Sequence, residues 1–256
     1  MSKAAVARAI EPEQTLSEKP SEQVQEERPK VWDLPLRLTH WLLALAVVGA
    51  FVTNKLGINY FRYHVWCGYT VIVLVLFRII WGLIGSYHAR FRNFIRSPST
   101  VIQYIRDEAR GRSAPHVGHN PLGAVMVVTL LAALLVQAVT GLFGNDEIFN
   151  VGPLYGYVNN ELSLKLTSFH RKWFYWLIAA ITIHVLAVIA HHIFRRENLV
   201  GAMISGHKSH VTTPPNEDAR HARVWLAAVM IAVISLLLWW VVTHAPIATN
   251  DTGDSY

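Results

Sequence analysis

Hydrophobic residues gather in this chain into five long runs separated by polar and often basic connections. The runs lie near Trp32–Thr53, Val65–Tyr87, Pro121–Phe143, Trp173–Phe194 and Val224–Val242. Each is close to the about 20 apolar residues that a helix needs to cross a bilayer. The pattern predicts an all-α membrane protein, with a four-helix transmembrane bundle and a fifth, peripheral transmembrane helix. Composition agrees: 52% of the residues are hydrophobic and 16% charged, too apolar for a soluble domain of 256 residues. The first 30 residues are polar and charged and lack the apolar core of a signal peptide, so residues 1–30 are expected to form a disordered cytoplasmic tail.

Charge distribution orients the spans. Lys and Arg concentrate in cytoplasmic loops. The connection after span two carries Arg90, Arg92, Arg96, Arg106, Arg110 and Arg112, and the one after span four carries Arg195, Arg196, Lys208, Arg220 and Arg223. Between Gly144 and Ser168, by contrast, Lys165 stands alone among Asp146, Glu147 and Glu161. Beyond His244 there are two aspartates and no base. The expected topology is a multi-pass protein of the bacterial inner membrane, N-terminus cytoplasmic and C-terminus periplasmic. The net charge of +6 is then a matter of topology, and no nucleic-acid partner is expected.

Given that orientation, four histidines fall at two depths. His170 and His184 are fourteen residues apart on one run, roughly 21 Å along a helix and on nearly one face. His64 opens span two at the outer surface, level with His170. His40 lies fourteen residues before Asn54, and so shares a deeper level with His184. Histidine inside a membrane is costly and rarely lacks a task. Two imidazoles at each level, from different helices, are what axial ligation of a flat macrocycle demands. Two haems are expected, held by His40, His64, His170 and His184. Cys67 is the single cysteine, and no Cys-x-x-Cys-His occurs, so attachment is non-covalent. His191 is the rival of His184, but its place beside Arg195 suits the headgroup level, as for His192. His88, His116, His119, His207, His210, His221 and His244 fall in loops or at span ends and are expected to be solvated.

Arg78 is the other expensive residue. It lies fourteen residues after His64, hence at the inner level, where its guanidinium could clamp anionic haem propionates. Arg37, one turn before His40, could do the same or snorkel to headgroups. Arg171 and Lys172 could serve the outer haem or mark the interface. Span three has no histidine, but Gln137, Thr140 and Gly141 near its outer end suit close packing or a bond to a neighbour. Span five carries Trp239 and Trp240 as an aromatic belt and no candidate ligand.

The residues resemble the bacterial cytochrome b561 and nickel–iron hydrogenase b-type cytochrome superfamily. The resemblance rests on Arg37-Leu38-Thr39-His40-Trp41, His64, Phe77-Arg78-Ile79-Ile80-Trp81-Gly82, Gly118-His119-Asn120-Pro121-Leu122-Gly123, Val139-Thr140-Gly141 and the His170/His184 pair. Arg196-Glu197-Asn198-Leu199-Val200 and Met203-Ile204-Ser205-Gly206 extend it, so that it covers residues 31 to about 208. It implies a four-helix domain over 31–208 with two b-type haems on the four histidines. It also implies electron exchange between a quinone pool and a periplasmic partner, either a hydrogenase-like redox enzyme or a c-type cytochrome. The chain would be the electron-transfer subunit of an oxidoreductase complex, with a quinone site by analogy near the inner haem and the basic second loop. Residues 209–223 would form a cytoplasmic loop, 224–243 the fifth span and 244–256 a periplasmic tail.

Two other classes fit parts of the pattern. A transmembrane reductase of a periplasmic acceptor would share the haems, with the loop from Asn145 to Asn160 as its surface. A histidine-based proton-coupled transporter should carry an acidic residue at mid-membrane, and the spans have none.

Overall fold

The computed structural model describes residues 30–113, 116–208, 219 and 223–246. The tail before residue 30, most of the expected loop 209–223 and the residues from 247 onward lie outside the described residues. Five helices are long and apolar enough to cross a membrane: α1 (Leu34–Lys55), α2 (Phe61–Ile84), α5 (Pro121–Leu142), α6 (Asn160–Phe194) and α8 (Val224–Thr243). Three shorter helices, α3 (Phe91–Phe94), α4 (Pro98–Ala109) and α7 (Leu199–Ser205), decorate the end rich in arginine, called here the basic end. The fold is the all-α membrane class that the hydropathy pattern predicts.

Helix starts follow local chemistry. Asp33 accepts from the Leu36 N–H at 2.7 Å, with Pro35 in the first turn of α1. Asn120 accepts from the Gly123 N–H at 2.7 Å ahead of Pro121. Asn159 caps α6 through the Leu162 N–H at 2.8 Å. Such caps satisfy donors that a helix cannot satisfy internally. The Asn159 cap also explains why α6 starts at Asn160, well before the Trp173 expected from hydropathy. Hydropathy registers only the lipid-buried part. The helix continues into water, where Lys165 pairs with Glu161 one turn away at 2.5 Å.

A cluster of Ala46, Val71, Val75, Leu131, Ala133, Leu134 and Leu177 forms the core between α1, α2, α5 and α6. A second cluster, with Phe77, Trp81, Ala227 and Ile234, seats α8 on the far side of α2, the peripheral position expected for the fifth span. Backbone packing is uneven. α1 lies along α2, α2 along α5, and α5 along α6, but α6 makes no extended backbone contact with α1 or α2. Side chains bridge that gap, among them the stacked rings of Phe51 and Phe174, 5.8 Å apart.

The basic end is more ordered than an arginine-rich loop. α4 is pinned to α6 where the Arg195 Nε and Nη2 donate to the Glu108 carboxylate at 3.0 and 2.7 Å. α7 clasps the start of α1: the N–H groups of Val31 and Trp32 donate to the Gly206 carbonyl at 2.9 and 3.1 Å. Gly206 ends α7 at φ 89°, a conformation that disfavours side chains.

Candidate functional site

The four predicted histidines meet in two pairs across the gap beside α6. The His40 and His184 rings lie 6.3 Å apart between centroids, and the His64 and His170 rings also 6.3 Å. The pairing is the one that depth requires. α1 and α2 run antiparallel in a register that bonds the Ala50 carbonyl to His64 Nδ1 at 2.8 Å and Asp33 Oδ2 to Trp81 Nε1 at 3.0 Å.

The His64/His170 pair is built to present one ring nitrogen each. His64 Nδ1 is taken by the Ala50 carbonyl, and His170 Nδ1 lies 2.8 Å from the Gln137 carbonyl and 3.3 Å from Thr140 Oγ1. A proton on Nδ1 bonded in this way leaves the Nε2 lone pair free to hold a metal. Gly141 lets α5 approach the ring: a Cβ there would stand 2.9 Å from His170 Cε1. The Gln137 amide nitrogen rests 3.1 Å from His170 Nε2, so a metal on that nitrogen would displace it. At the other level, His40 Nδ1 is buried and makes no hydrogen bond with the described residues.

The prokaryotic cytochrome b561 family model matches residues 31–206. The chain belongs to this family. It is similar to probable Ni/Fe-hydrogenase B-type cytochrome subunits: 24% identical over 209 residues to that of Bradyrhizobium diazoefficiens, covering 70% of this chain and 85% of the relative. With the Cupriavidus necator protein it shares 27% over 211 residues, covering 70% and 86%. With the Escherichia coli Ni/Fe-hydrogenase 1 subunit it shares 24% over 214 residues, covering 70% and 90%. No solved structure matches. The family makes this cytochrome a membrane electron carrier with b-type haem.

The cytochrome's residues fit that group. A metal–imidazole bond is about 2 Å, and the ring centre lies about 1.1 Å beyond the nitrogen, so two imidazoles on one metal have centroids about 6 Å apart. Both pairs are compatible with this separation. Beside the His64/His170 pair, one turn along α2 from His64, a Cβ on Gly68 would meet nothing within 4 Å. Buried polar atoms without a hydrogen-bond partner include His40 Nδ1, Arg37 Nε, Arg78 Nη2, His119 Nδ1 and Gln137 Oε1. Four of these five lie at the His40/His184 pair or toward the basic end, where an anionic group would satisfy the arginines.

Arg78 follows His64 by fourteen residues on α2, as His184 follows His170 on α6, and it is buried. Its Nη1 donates to the Ala89 carbonyl at 3.2 Å, and its guanidinium covers the Phe91 ring at 5.1 Å. Arg37 Nη1 donates to the Ile204 carbonyl. Both guanidiniums keep an unused buried nitrogen. Among the described residues, Arg171 and Lys172 make no hydrogen bond or ion pair.

Hydropathy misses the polar layer around these arginines. His88 is buried, and His119 is wedged between Trp32 and Phe94, each 4.6 Å away, so neither is the solvated loop residue expected. Burial first, then the nearby Arg78, His88 and Lys208, pushes the His119 imidazole down to about 3. Asp33 is fully buried, held by Leu36 N–H, Trp81 Nε1 and Ser86 Oγ. His191 sits between Asn120, 3.5 Å away, and Glu197, 4.0 Å away, and not at a free headgroup position. The signal that could have found the layer is the run from Gly118 to Asn120, where a histidine precedes a helix cap.

At the opposite, acidic end, the loop after α5 packs over the His64/His170 level. Ser163 Oγ donates to the Phe143 carbonyl at 2.6 Å, and Asn145 N–H to Thr167 Oγ1 at 2.8 Å. Its tip exposes Ile148 and Phe149 by 75% and 76%. Burial opposes ionisation of Asp146, but the N–H groups of Asn150, Phe149 and Ile148 outweigh it and hold the carboxyl down to about 2.

Proposed function

We propose that this cytochrome is a di-haem carrier moving electrons across the cytoplasmic membrane between a periplasmic redox partner and the quinone pool. The matched 6.3 Å separation of both histidine pairs carries the reading. His64 and His170 bind one haem, and His40 and His184 the other. Both axial positions of each are then imidazole, which leaves no open position for oxygen. Bound haem supplies a reversible one-electron iron couple. The chain's own residues do the rest. The Ala50 and Gln137 carbonyls fix the imidazole tautomers. Arg37 and Arg78 offer buried donors to propionates. The α1–α2–α5–α6 core keeps water from the path.

The basic end is cytoplasmic and the acidic end periplasmic, by the arginine asymmetry. A periplasmic hydrogenase-like enzyme or c-type cytochrome docks on the Asn145–Asn160 loop. The hydrogenase named in the relatives' descriptions favours the first. An open surface groove of about 320 Å³ lined by Leu34, Arg37, Leu38, Trp41, Met203 and Ile204 is the site offered here for a quinone headgroup. It lies on the α7 side of α1, not beside the second loop, and the Trp41 ring is 5.1 Å from that of His40.

Haem stoichiometry tests the ligation. Replacing either member of a pair with Ala should lower the pyridine haemochrome value from two haems per chain towards one, with the same haem lost for both members. If His184→Ala keeps both haems while His191→Ala loses one, the pairing is wrong. Failure of quinol to reduce either haem would remove the quinone pool from the reading.

A further inference from the structure

Helix α4 leaves an apolar strip exposed at the basic end. Pro98, Ile102, Ile105 and Ala109 recur at the spacing of one helix face. All four are exposed, Ile102 and Ile105 by 51% and 46%. The face on one side is already used: Tyr104 is buried with its ring 5.4 Å from that of His116, and Glu108, one turn on, is held by Arg195. On the other side Ser99, Gln103 and Arg106 form a polar flank. The strip also continues a surface that meets lipid. Arg195 closes the spanning helix α6, and the two residues before it, Ile193 and Phe194, are exposed and apolar. The Glu108–Arg195 clamp therefore fixes α4 where α6 leaves the bilayer. An amphipathic helix at that place lies in the interface, its apolar face in the headgroup and acyl boundary.

Charge decides which lipid. Arg92 and Arg96 precede α4, and Arg106, Arg110 and Arg112 lie in and after its last turn. All five are exposed, and among the described residues none forms an ion pair. Arg90 is turned to the Gly85 carbonyl. The same segment holds two carboxylates, Asp107 and Glu108, and Arg195 already neutralises Glu108. The adjoining end of α6 adds Arg196 and the Lys208–Glu197 pair. The surface beside the strip is thus strongly positive and complements an anionic leaflet.

We propose that α4 is an interfacial helix that seats anionic phospholipid, with Ile102 and Ile105 in the acyl boundary and Arg106, Arg110 and Arg112 on the phosphates. A guanidinium reaches a phosphate while its stem covers apolar surface. Through Glu108 and Arg195 the bound lipid steadies the end of α6, the helix that carries His170 and His184. The proposal needs the spanning helices but not the haem assignment, and holds whichever side of the membrane the basic end faces.

The test places a fluorophore on the full-length protein in vesicles of equal parts phosphatidylcholine and phosphatidylglycerol. Cys67 is the single cysteine, so Cys67→Ala combined with Ile105→Cys or Gln103→Cys gives one label on each face of α4. The label at 105 should be quenched by a lipid with a nitroxide on its acyl chain, and the label at 103 by aqueous iodide. A label at 105 that iodide reaches and the nitroxide does not overturns the proposal, as does equal nitroxide quenching at both positions. A label at 105 that neither quencher reaches overturns it too, because a protein or a second copy then covers the strip. The charge arm measures lipids retained by the detergent-solubilised protein in native mass spectrometry. A basic residue near an anionic surface is worth about fivefold, so Arg106→Gln, Arg110→Gln and Arg112→Gln together should reduce the preference for phosphatidylglycerol over phosphatidylcholine by roughly 100-fold. An unchanged preference overturns the assignment of these arginines to the phosphates. The label arm requires no arginine variant, so poor folding of the triple variant leaves the proposal open to refutation.

Discussion

Gly141 offers a test whose sign separates ligand geometry from helix propensity. In a helix interior, Gly to Ala gains roughly 0.5–1 kcal/mol, because the flexible glycine loses more entropy on folding. Here the new Cβ would stand 2.9 Å from His170 Cε1 and 3.2 Å from Nδ1, against a comfortable carbon contact of about 3.5–4.0 Å. The ring must therefore retreat by about 0.6 Å or more. It has little freedom, since Nδ1 is bonded at 2.8 Å to the Gln137 carbonyl on the same helix and the opposite side faces His64. Overpacking of this kind costs about 1–3 kcal/mol. With tenfold per about 1.4 kcal/mol, the haem at this level should bind roughly 5- to 150-fold more weakly. The clash outweighs the propensity gain, so Gly141→Ala should purify with fewer than two haems per chain and melt at a lower temperature. Pyridine haemochrome analysis and thermal denaturation followed at the Soret band read both. A variant with two haems, an unchanged spectrum and a raised melting temperature would refute the close approach of α5 to His170.

Topology can be checked without haem: reporters fused after residue 110 or residue 208 should behave as cytoplasmic and one after Asp254 as periplasmic, and a cytoplasmic C-terminus would remove a span. The Glu108–Arg195 clamp should give a pH-dependent signature. Burial pushes the Glu108 carboxyl up, but hydrogen bonds from Ser113 and Tyr104 and the Arg195 charge outweigh it, so the folded value lies below the ordinary one. Its contribution is therefore present above the ordinary carboxylate range and lost as pH falls through the lowered folded value. Because both side chains are about a third exposed, at 31% and 33%, the pair is worth about 0.5–1 kcal/mol. Glu108→Gln should lower the melting temperature by a few degrees at pH 7 and by nothing measurable once Glu108 is protonated. A deficit that persists in acid would mean that the clamp acts through packing.

The amino-acid sequence by itself determined the five spans, because about 20 consecutive apolar residues leave a helix in lipid few alternatives. It also determined which histidines meet. Once the run order is fixed, a constant rise per residue converts sequence spacing into depth, and His40, His64, His170 and His184 fall into levels without knowledge of packing. Only the tertiary structure decided what surrounds the ligands. The carbonyls of Ala50 and Gln137 are backbone groups that every residue possesses, so no residue type announces that they will accept from a histidine. The standoff of α6 from α1 and α2 depends on how α2 and α6 each pack along α5. The packed surroundings of Asp33, His88 and His119 were hidden for a related reason. Polar residues in connections read as solvated until the chain folds back over them, as α7 does over the start of α1, and water is replaced by specific partners.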